Sequence, residues 1–199
     1  MDRADKGKKA AQTPATRPDT THQRLERERS ERQAYLQSAK GMGELHEALL
    51  QITDASAQTR MTGAKTLADP GCGNAEAKRA FSAILDAAEK EDCAPVMLAF
   101  AEAICDIAGQ NMLGDDREWQ AKNPDVVRRI SELALDSKDA DVAKKLAYAL
   151  YHCIPGQKKE IYDGLVALMT KAKEKGGEGS PAFEGIQSAW LDMVADRML

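Results

Sequence analysis

Apolar residues recur with a helical period along the chain from residue 44 onward. Ala48, Leu49 and Ile52 lie three, four and seven residues after Leu45, the spacing that places side chains on one face of an α-helix. Three further stripes also have a helical period: Phe81, Ile84, Leu85 and Ala88; Val127, Ile130, Leu133 and Ala134; and Phe183, Ile186, Ala189, Trp190 and Met193. Since no segment alternates with the period of a β-strand, the pattern predicts an all-α fold.

Residues that favour helix starts and breaks separate these stripes. Asn74 follows a turn at 70–73, and Asn123-Pro124 and Ser180-Pro181 each combine an N-cap residue with proline at the first helical position. Gly41 and Gly43 are expected to interrupt the chain. The segment 94–108 is apolar on nearly all sides apart from two acidic residues, which predicts a central helix covered by its neighbours.

The first forty residues have a different character. Residues 1–21 contain no Val, Ile, Leu or aromatic residue, so they are predicted to be a disordered polar tail. In 22–40, opposite charges stand four residues apart, as in Arg24/Glu28, and apolar residues are sparse. That pattern predicts a charged, solvated helix or linker. The predicted domain therefore covers 41–199.

Internal similarity organises that domain. In 135–150 a leucine ends one helix, an acidic turn follows, and a second helix begins at Val142 and carries small residues on one face. The segment 52–67 lies 83 positions earlier and matches it, with Arg60 where the later copy has Ala143. A middle copy fits around 98–105, which lies 48 positions before 146–153.

These segments resemble HEAT repeats, of the HEAT/armadillo class of paired helices, which have a period of about 40–47 residues. The resemblance covers about 44–155, and the helix pair in 156–199 fits more loosely, as a terminal cap would. It implies a short α-solenoid in which second helices line a concave surface. A non-repeating bundle of seven or eight helices is the alternative fold.

Composition and charge narrow the classes of function. Hydrophobic residues are 43% of the chain but aromatic residues only 5%, so the core is predicted to consist of Ala, Leu, Ile, Val and Met. Residues 1–40 hold ten basic and six acidic groups, whereas 41–199 hold 18 and 26. An acidic domain is not expected to bind nucleic acid, because phosphate binding needs a basic face.

The same sequence argues against a membrane span and for a cytoplasmic protein. The longest stretch without Asp, Glu, Lys or Arg, 146–157, has 12 residues, whereas a spanning helix needs roughly 18. The N-terminus lacks the apolar core of a secretory signal. Four cysteines are too few for a disulfide scaffold and are predicted to be reduced. Cys93, Cys105 and Cys153 are expected in the core.

No residue pattern points to catalysis, a cofactor or a metal. The cysteines lack a C-x-x-C spacing and the histidines (His22, His46 and His152) are scattered. The Gly-rich segment 173–180 lacks the order of a phosphate loop. Glu91-Asp92 is a pair of carboxylates beside a predicted helix start, where capping explains it. The chain is therefore predicted not to be an enzyme, although a site formed only by folding stays open.

The predicted function is a protein- or peptide-binding scaffold that acts through the helical-repeat surface. The residues expected on that surface are Arg60, Glu102, Asp106, Lys144, Lys145 and Tyr148, with Trp119 and Trp190 as candidate anchors. The alternative is a secreted bacterial effector or secretion-associated protein, exported into a host cell by a signal in its polar N-terminus.

Overall fold

The computed structural model describes residues 30, 39–68, 74–109, 125–154 and 158–196, with the backbone alone at 39–42 and 74–76. Regular structure in these ranges consists of eight α-helices, which confirms the all-α prediction for this part of the chain. They are α1 (Ala39–Gln51), α2 (Ala57–Leu67), α3 (Asn74–Ala88), α4 (Ala94–Gly109), α5 (Asp125–Asp136), α6 (Ala140–Cys153), α7 (Lys158–Gly176) and α8 (Pro181–Ala195). The predicted tail 1–21, most of 22–40, and Trp119 lie outside the described residues.

Side-chain caps begin several of these helices. The hydroxyl of Ser180 accepts a hydrogen bond from the backbone N–H of Phe183, and Pro181 is the first residue of α8, as predicted. At α6 the carboxylate of Asp139 accepts from the N–H groups of Asp141 and Val142. Each cap satisfies backbone donors that have no partner within the helix.

The expectation that Gly41 and Gly43 interrupt the chain is wrong. Helix α1 begins at Ala39 and includes both glycines. Glycine disfavours a helix interior by only about 1 kcal/mol, and α1 offsets that cost by burying Leu45 and Ala48. Tertiary packing outweighs local propensity here.

The helices pack as consecutive pairs: α1 with α2, α3 with α4, α5 with α6, and α7 with α8. The second helices also contact one another in series, α2 with α4, α4 with α6, and α6 with α8. Among the first helices, α3 contacts α5 and α5 contacts α7. The described helices therefore pack pair by pair around a shared core.

Helix α4 lies at the centre of the core, as its sequence predicted. Its buried residues are Val96, Ala99, Phe100, Ala101, Ala103, Ile104, Ile107 and Ala108. Small residues let the second helices approach closely, most clearly at Gly185 of α8, where an added Cβ would lie 2.2 Å from the backbone oxygen of Ala140. None of the described helices is long and apolar enough to span a membrane.

Candidate functional site

Three of the predicted surface residues, Glu102, Asp106 and Lys145, lie around the contact between α4 and α6. The positive charge of Lys145 on α6 and the negative charge of the neighbouring Glu102 both act on the carboxyl group of Asp106 on α4. Partial burial raises the pKa of the Asp106 carboxyl; Lys145 opposes that rise and Glu102 adds to it. Cys105 lies among them, and burial raises the pKa of its thiol to about 11. This thiol is therefore protonated at neutral pH and is a poor nucleophile.

Lys144 and Tyr148 of α6 both bind one carboxylate on α8. Lys144 Nζ lies 2.8 Å from Asp192 Oδ2, and the Tyr148 hydroxyl donates to the same oxygen over 3.0 Å. These two hydrogen bonds hold the pKa of Asp192 below its usual value. Burial and the hydrogen bond to Asp192 raise the pKa of Tyr148 to about 12. The sequence offered no signal for Asp192, because only folding brings α6 and α8 together.

Arg60 lies apart from this group, in the first turn of α2. Its guanidinium makes a two-point ion pair with Glu91, Nε to Oε2 over 2.7 Å and Nη2 to Oε1 over 3.0 Å. Its Nη1 donates to the backbone oxygens of Asp54 and Ala55. Both charged side chains are largely covered, with 17% and 7% of their surfaces exposed. Arg60 thus joins the turn before α2 to the turn before α4.

Glu91 has a second bond, to the backbone N–H of Cys93 beside the start of α4, over 2.9 Å. Cys93 precedes Ala94, the first residue of α4, so this bond holds the turn before the helix, and the capping interpretation stays a prediction. Burial by itself raises the pKa of Glu91, but the hydrogen bonds from Arg60 and from the Cys93 backbone outweigh burial and hold it below its usual value. Glu91 is an ionised, fully engaged residue of the fold.

Trp190 lies at the outer end of the helix stack, on α8. Its ring is 5.9 Å from that of Tyr162 on α7, and its buried Nε1 has no hydrogen-bond acceptor among the described residues. Its neighbours Leu191 and Val194 are exposed. Trp190 therefore covers the edge of the core, and Leu191 and Val194 add exposed apolar surface on the same helix.

A groove lies between the α3–α4 turn and the α5–α6 turn, and we call it the turn groove. It encloses about 530 Å³. Its apolar lining comes from four helices: Ala88 of α3, Met97 of α4, Leu133 of α5 and Val142 of α6. Ala88 and Val142 are buried, whereas Met97 and Leu133 are partly exposed to the groove. This lining can accept an apolar group.

Charged side chains surround that apolar lining. The acidic residues that line the turn groove are Glu89, Glu91, Asp92, Glu132, Asp136 and Asp139, and the basic ones are Arg129 and Lys138. Arg129 bridges α5 to α3 through Glu89 over 2.5 Å and Asp86 over 2.6 Å. Outside the groove, Arg128 pairs with Glu132 over 2.7 Å and Lys175 pairs with Asp136.

Sequence reasoning did not find the turn groove. Its walls come from segments about 40 residues apart, and its carboxylates lie near helix ends, where they resemble ordinary caps. The available signal was the acidic character of two successive turns, 89–92 and 136–141.

Comparison with protein-family models, with curated proteins and with solved structures finds no match to this chain. Among the described residues, no group of three or more His, Cys, Asp or Glu side chains is placed to hold a metal ion. Function must therefore be inferred from the geometry of the surfaces described above.

Proposed function

We propose that this protein is a non-catalytic scaffold that binds a protein or peptide through a helical-repeat surface, with the turn groove as its principal site. The order of helix contacts supports the repeat interpretation. Consecutive pairs whose second helices touch in series are what a short α-solenoid of HEAT-like units would give. In such an arrangement the turns of neighbouring units stand side by side, and the cleft between them is open to a partner.

The observation that carries this proposal is the combination of volume and lining in the turn groove. About 530 Å³ is within the usual range of roughly 300–1,000 Å³ for ligand-binding clefts. Met97 and Leu133 supply an apolar surface that a partner side chain can cover, which provides affinity. The charged rim would orient that partner, because each carboxylate accepts hydrogen bonds in a limited set of directions.

The second-helix surface is proposed as an extension of the same binding function. Its carboxylates Glu102 and Asp106 and the adjacent Lys145 are accessible at least in part. Lys144 and Tyr148 are already bound to Asp192, so a partner would meet them as a formed cluster. Trp190 is proposed as an anchor at the end of α8, since aromatic side chains dominate binding hot spots.

A differential capture experiment with the full chain tests the proposal. The groove variant is Met97→Ala/Leu133→Ala, which removes the two partly exposed side chains of the lining. Met61→Ala/Leu135→Ala is the matched control, because these side chains are also partly buried against the core but do not line the groove. Proteins captured by wild type and by the control, yet lost by the groove variant, are the expected result when eluates are compared by mass spectrometry.

Equal capture by all three proteins would show that partners bind elsewhere. In that event Glu102, Asp106 and Lys145 on the second-helix surface are the next residues to substitute. A chain that captures nothing in any form would contradict the scaffold proposal and direct attention to activity screens.

A further inference from the structure

Resting on the proposed binding function, we infer that the turn groove binds a peptide segment in which an apolar side chain stands between lysine or arginine residues. The groove offers both apolar and charged surface, because the α3–α4 side and α5 each contribute apolar and charged side chains to its lining. A bound segment can therefore place one side chain on the apolar surface and its neighbours against the charged side chains.

Six carboxylates and two basic groups line the groove, and Arg60, Arg128 and Lys175 pair with three of these carboxylates from outside the lining. The remaining excess of negative charge favours a cation over a phosphate or carboxylate group. Asp92 stands exposed on the α3–α4 turn and makes no ion pair with any residue in the described ranges. Within the described part of the chain, this groove-lining carboxylate is therefore available to a cation of the partner.

The carboxylates of the groove differ in how readily they can accept a new partner. Glu91 and Glu89 are held by Arg60 and Arg129, whose side chains are only 17% and 19% exposed. Glu132 and Asp136 instead pair with Arg128 and Lys175, which are 57% and 55% exposed. Exposed pairs contribute little to stability, so a cation of the partner can replace Arg128 or Lys175 at small cost.

The available carboxylates come from both sides of the groove. Glu132 and Asp136 are four residues apart and so share one face of α5, while Asp92 belongs to the α3–α4 turn. Each side also supplies an apolar side chain, Leu133 from α5 and Met97 from α4, and the flexible thioether of Met97 adapts to apolar groups of different shape. A segment with one apolar side chain between basic ones can therefore use the apolar lining and carboxylates from both sides.

Fluorescence anisotropy with three short labelled peptides tests this inference on the full chain. Their centres are Lys-Leu-Arg, Lys-Gly-Arg and Glu-Leu-Glu, so that the second lacks the anchor and the third reverses the charge. Wild type is expected to bind the first peptide, to bind the second at least about tenfold more weakly, and not to bind the third. Added salt should weaken binding of the first peptide, because the rim is exposed to solvent.

Two charge variants separate the groove from the general acidity of the domain. Asp92→Asn/Glu132→Gln/Asp136→Asn neutralises the available carboxylates and is expected to weaken binding of the first peptide about tenfold or more. Asp163→Asn/Glu174→Gln/Glu178→Gln removes the same number of exposed charges from α7 and the turn after it, outside the groove, and should leave affinity unchanged. Equal weakening by both variants would overturn the inference, since the attraction would then be non-specific.

Another outcome also overturns the inference and leaves the proposed function standing: no peptide binds, although Met97→Ala/Leu133→Ala still loses its captured partner. The groove would then bind a different chemistry. Binding of the first peptide only after Lys6→Gln/Lys8→Gln/Lys9→Gln/Arg17→Gln would support the inference, because the basic N-terminal segment of the chain would then compete for the same groove. Failure of the capture experiment with normal peptide binding would contradict the proposed cellular role alone.

Discussion

Arg60 and Glu91, 31 residues apart, form a two-point ion pair that joins the turn before α2 to the turn before α4. Glu91 is also part of the wall of the turn groove. The pair therefore links the first two helix pairs and, at the same time, fixes one side of the proposed binding site.

Loss of this pair should destabilise the fold. In Glu91→Gln, one charged partner is replaced by a neutral amide while Arg60 stays largely covered. We expect the Tm to fall by about 5 °C, since hydrogen bonds to charged groups contribute more than neutral ones. Thermal unfolding followed by circular dichroism measures the change, and Glu174→Gln on the exposed face of α7 is the control. Equal Tm values for wild type and Glu91→Gln would show that the pair contributes nothing.

The same pair predicts a dependence of stability on pH. The pKa of Glu91 is lower in the folded chain than its ordinary value of about 4.3. Its contribution is therefore fully present above the unfolded pKa and is lost as pH falls through the folded pKa. The difference in Tm between wild type and Glu91→Gln should be constant near neutrality and shrink below about pH 4. A difference that grows as the pH falls would contradict the sign.

Tyr148 should ionise at a higher pH than an ordinary tyrosine side chain. Its pKa is raised to about 12 by burial and by Asp192, so its contribution to stability is present below about pH 10 and lost as pH rises toward the folded value. In an ultraviolet titration, Tyr148→Phe should remove a component that ionises near 12. Tyr162→Phe, at an exposed position, should leave that component in place. A titration curve in which Tyr148→Phe loses only a component near 10 would contradict the hydrogen bond to Asp192.

Gly185 should not tolerate alanine. An added Cβ would lie 2.2 Å from the backbone oxygen of Ala140 and 2.7 Å from the Cβ of Ala143, so α8 must move away from α6. We expect Gly185→Ala to lower the free energy of unfolding by about 1–3 kcal/mol or more. Gly43→Ala is the control in α1, where nothing lies within 4 Å of the new atom, and it should stabilise by about 0.5–1 kcal/mol. Chemical denaturation gives both values, and a neutral Gly185→Ala would contradict the close approach of the helices.

Cys105 and Cys153 should resist alkylation while the protein is folded. Burial raises the pKa of these thiols to about 11 and about 12, so few thiolates exist near pH 8. Cys153 is buried, as predicted from the sequence, whereas Cys105 and Cys93 are only partly buried against the core. Iodoacetamide labelling followed by peptide mass mapping should show both sites protected until denaturant is added. Labelling of Cys153 as fast as in denatured protein would place it at the surface.

Several features of the fold follow from the amino-acid sequence alone. The stripe at Phe81, Ile84 and Leu85 is fully buried, and Ser180-Pro181 begins α8. These predictions succeed because they depend on the helical period and on capping, which involve residues within one or two turns of each other. The predicted break at Gly41 and Gly43 is wrong because burial of Leu45 and Ala48 in the same helix, a tertiary effect, outweighs local propensity.

The candidate sites could be predicted only in part. Lys144, Lys145 and Tyr148 were expected on one surface of α6, and they lie partly exposed there. Their partner Asp192 comes from α8, 44 residues from Tyr148, and the turn groove combines four helices. Neither follows from spacing along the chain.

The sequence by itself determined that the chain forms amphipathic helices, where several of them begin, and which side chains enter the core. Only the tertiary structure decided that Arg60 meets Glu91, that Asp192 binds Lys144 and Tyr148, and that two acidic turns enclose a groove. The physical reason is the range of the interactions. Helical hydrogen bonds and caps join near neighbours, whereas these contacts depend on the register in which helices pack, and close approaches such as Gly185 against Ala140 set that register.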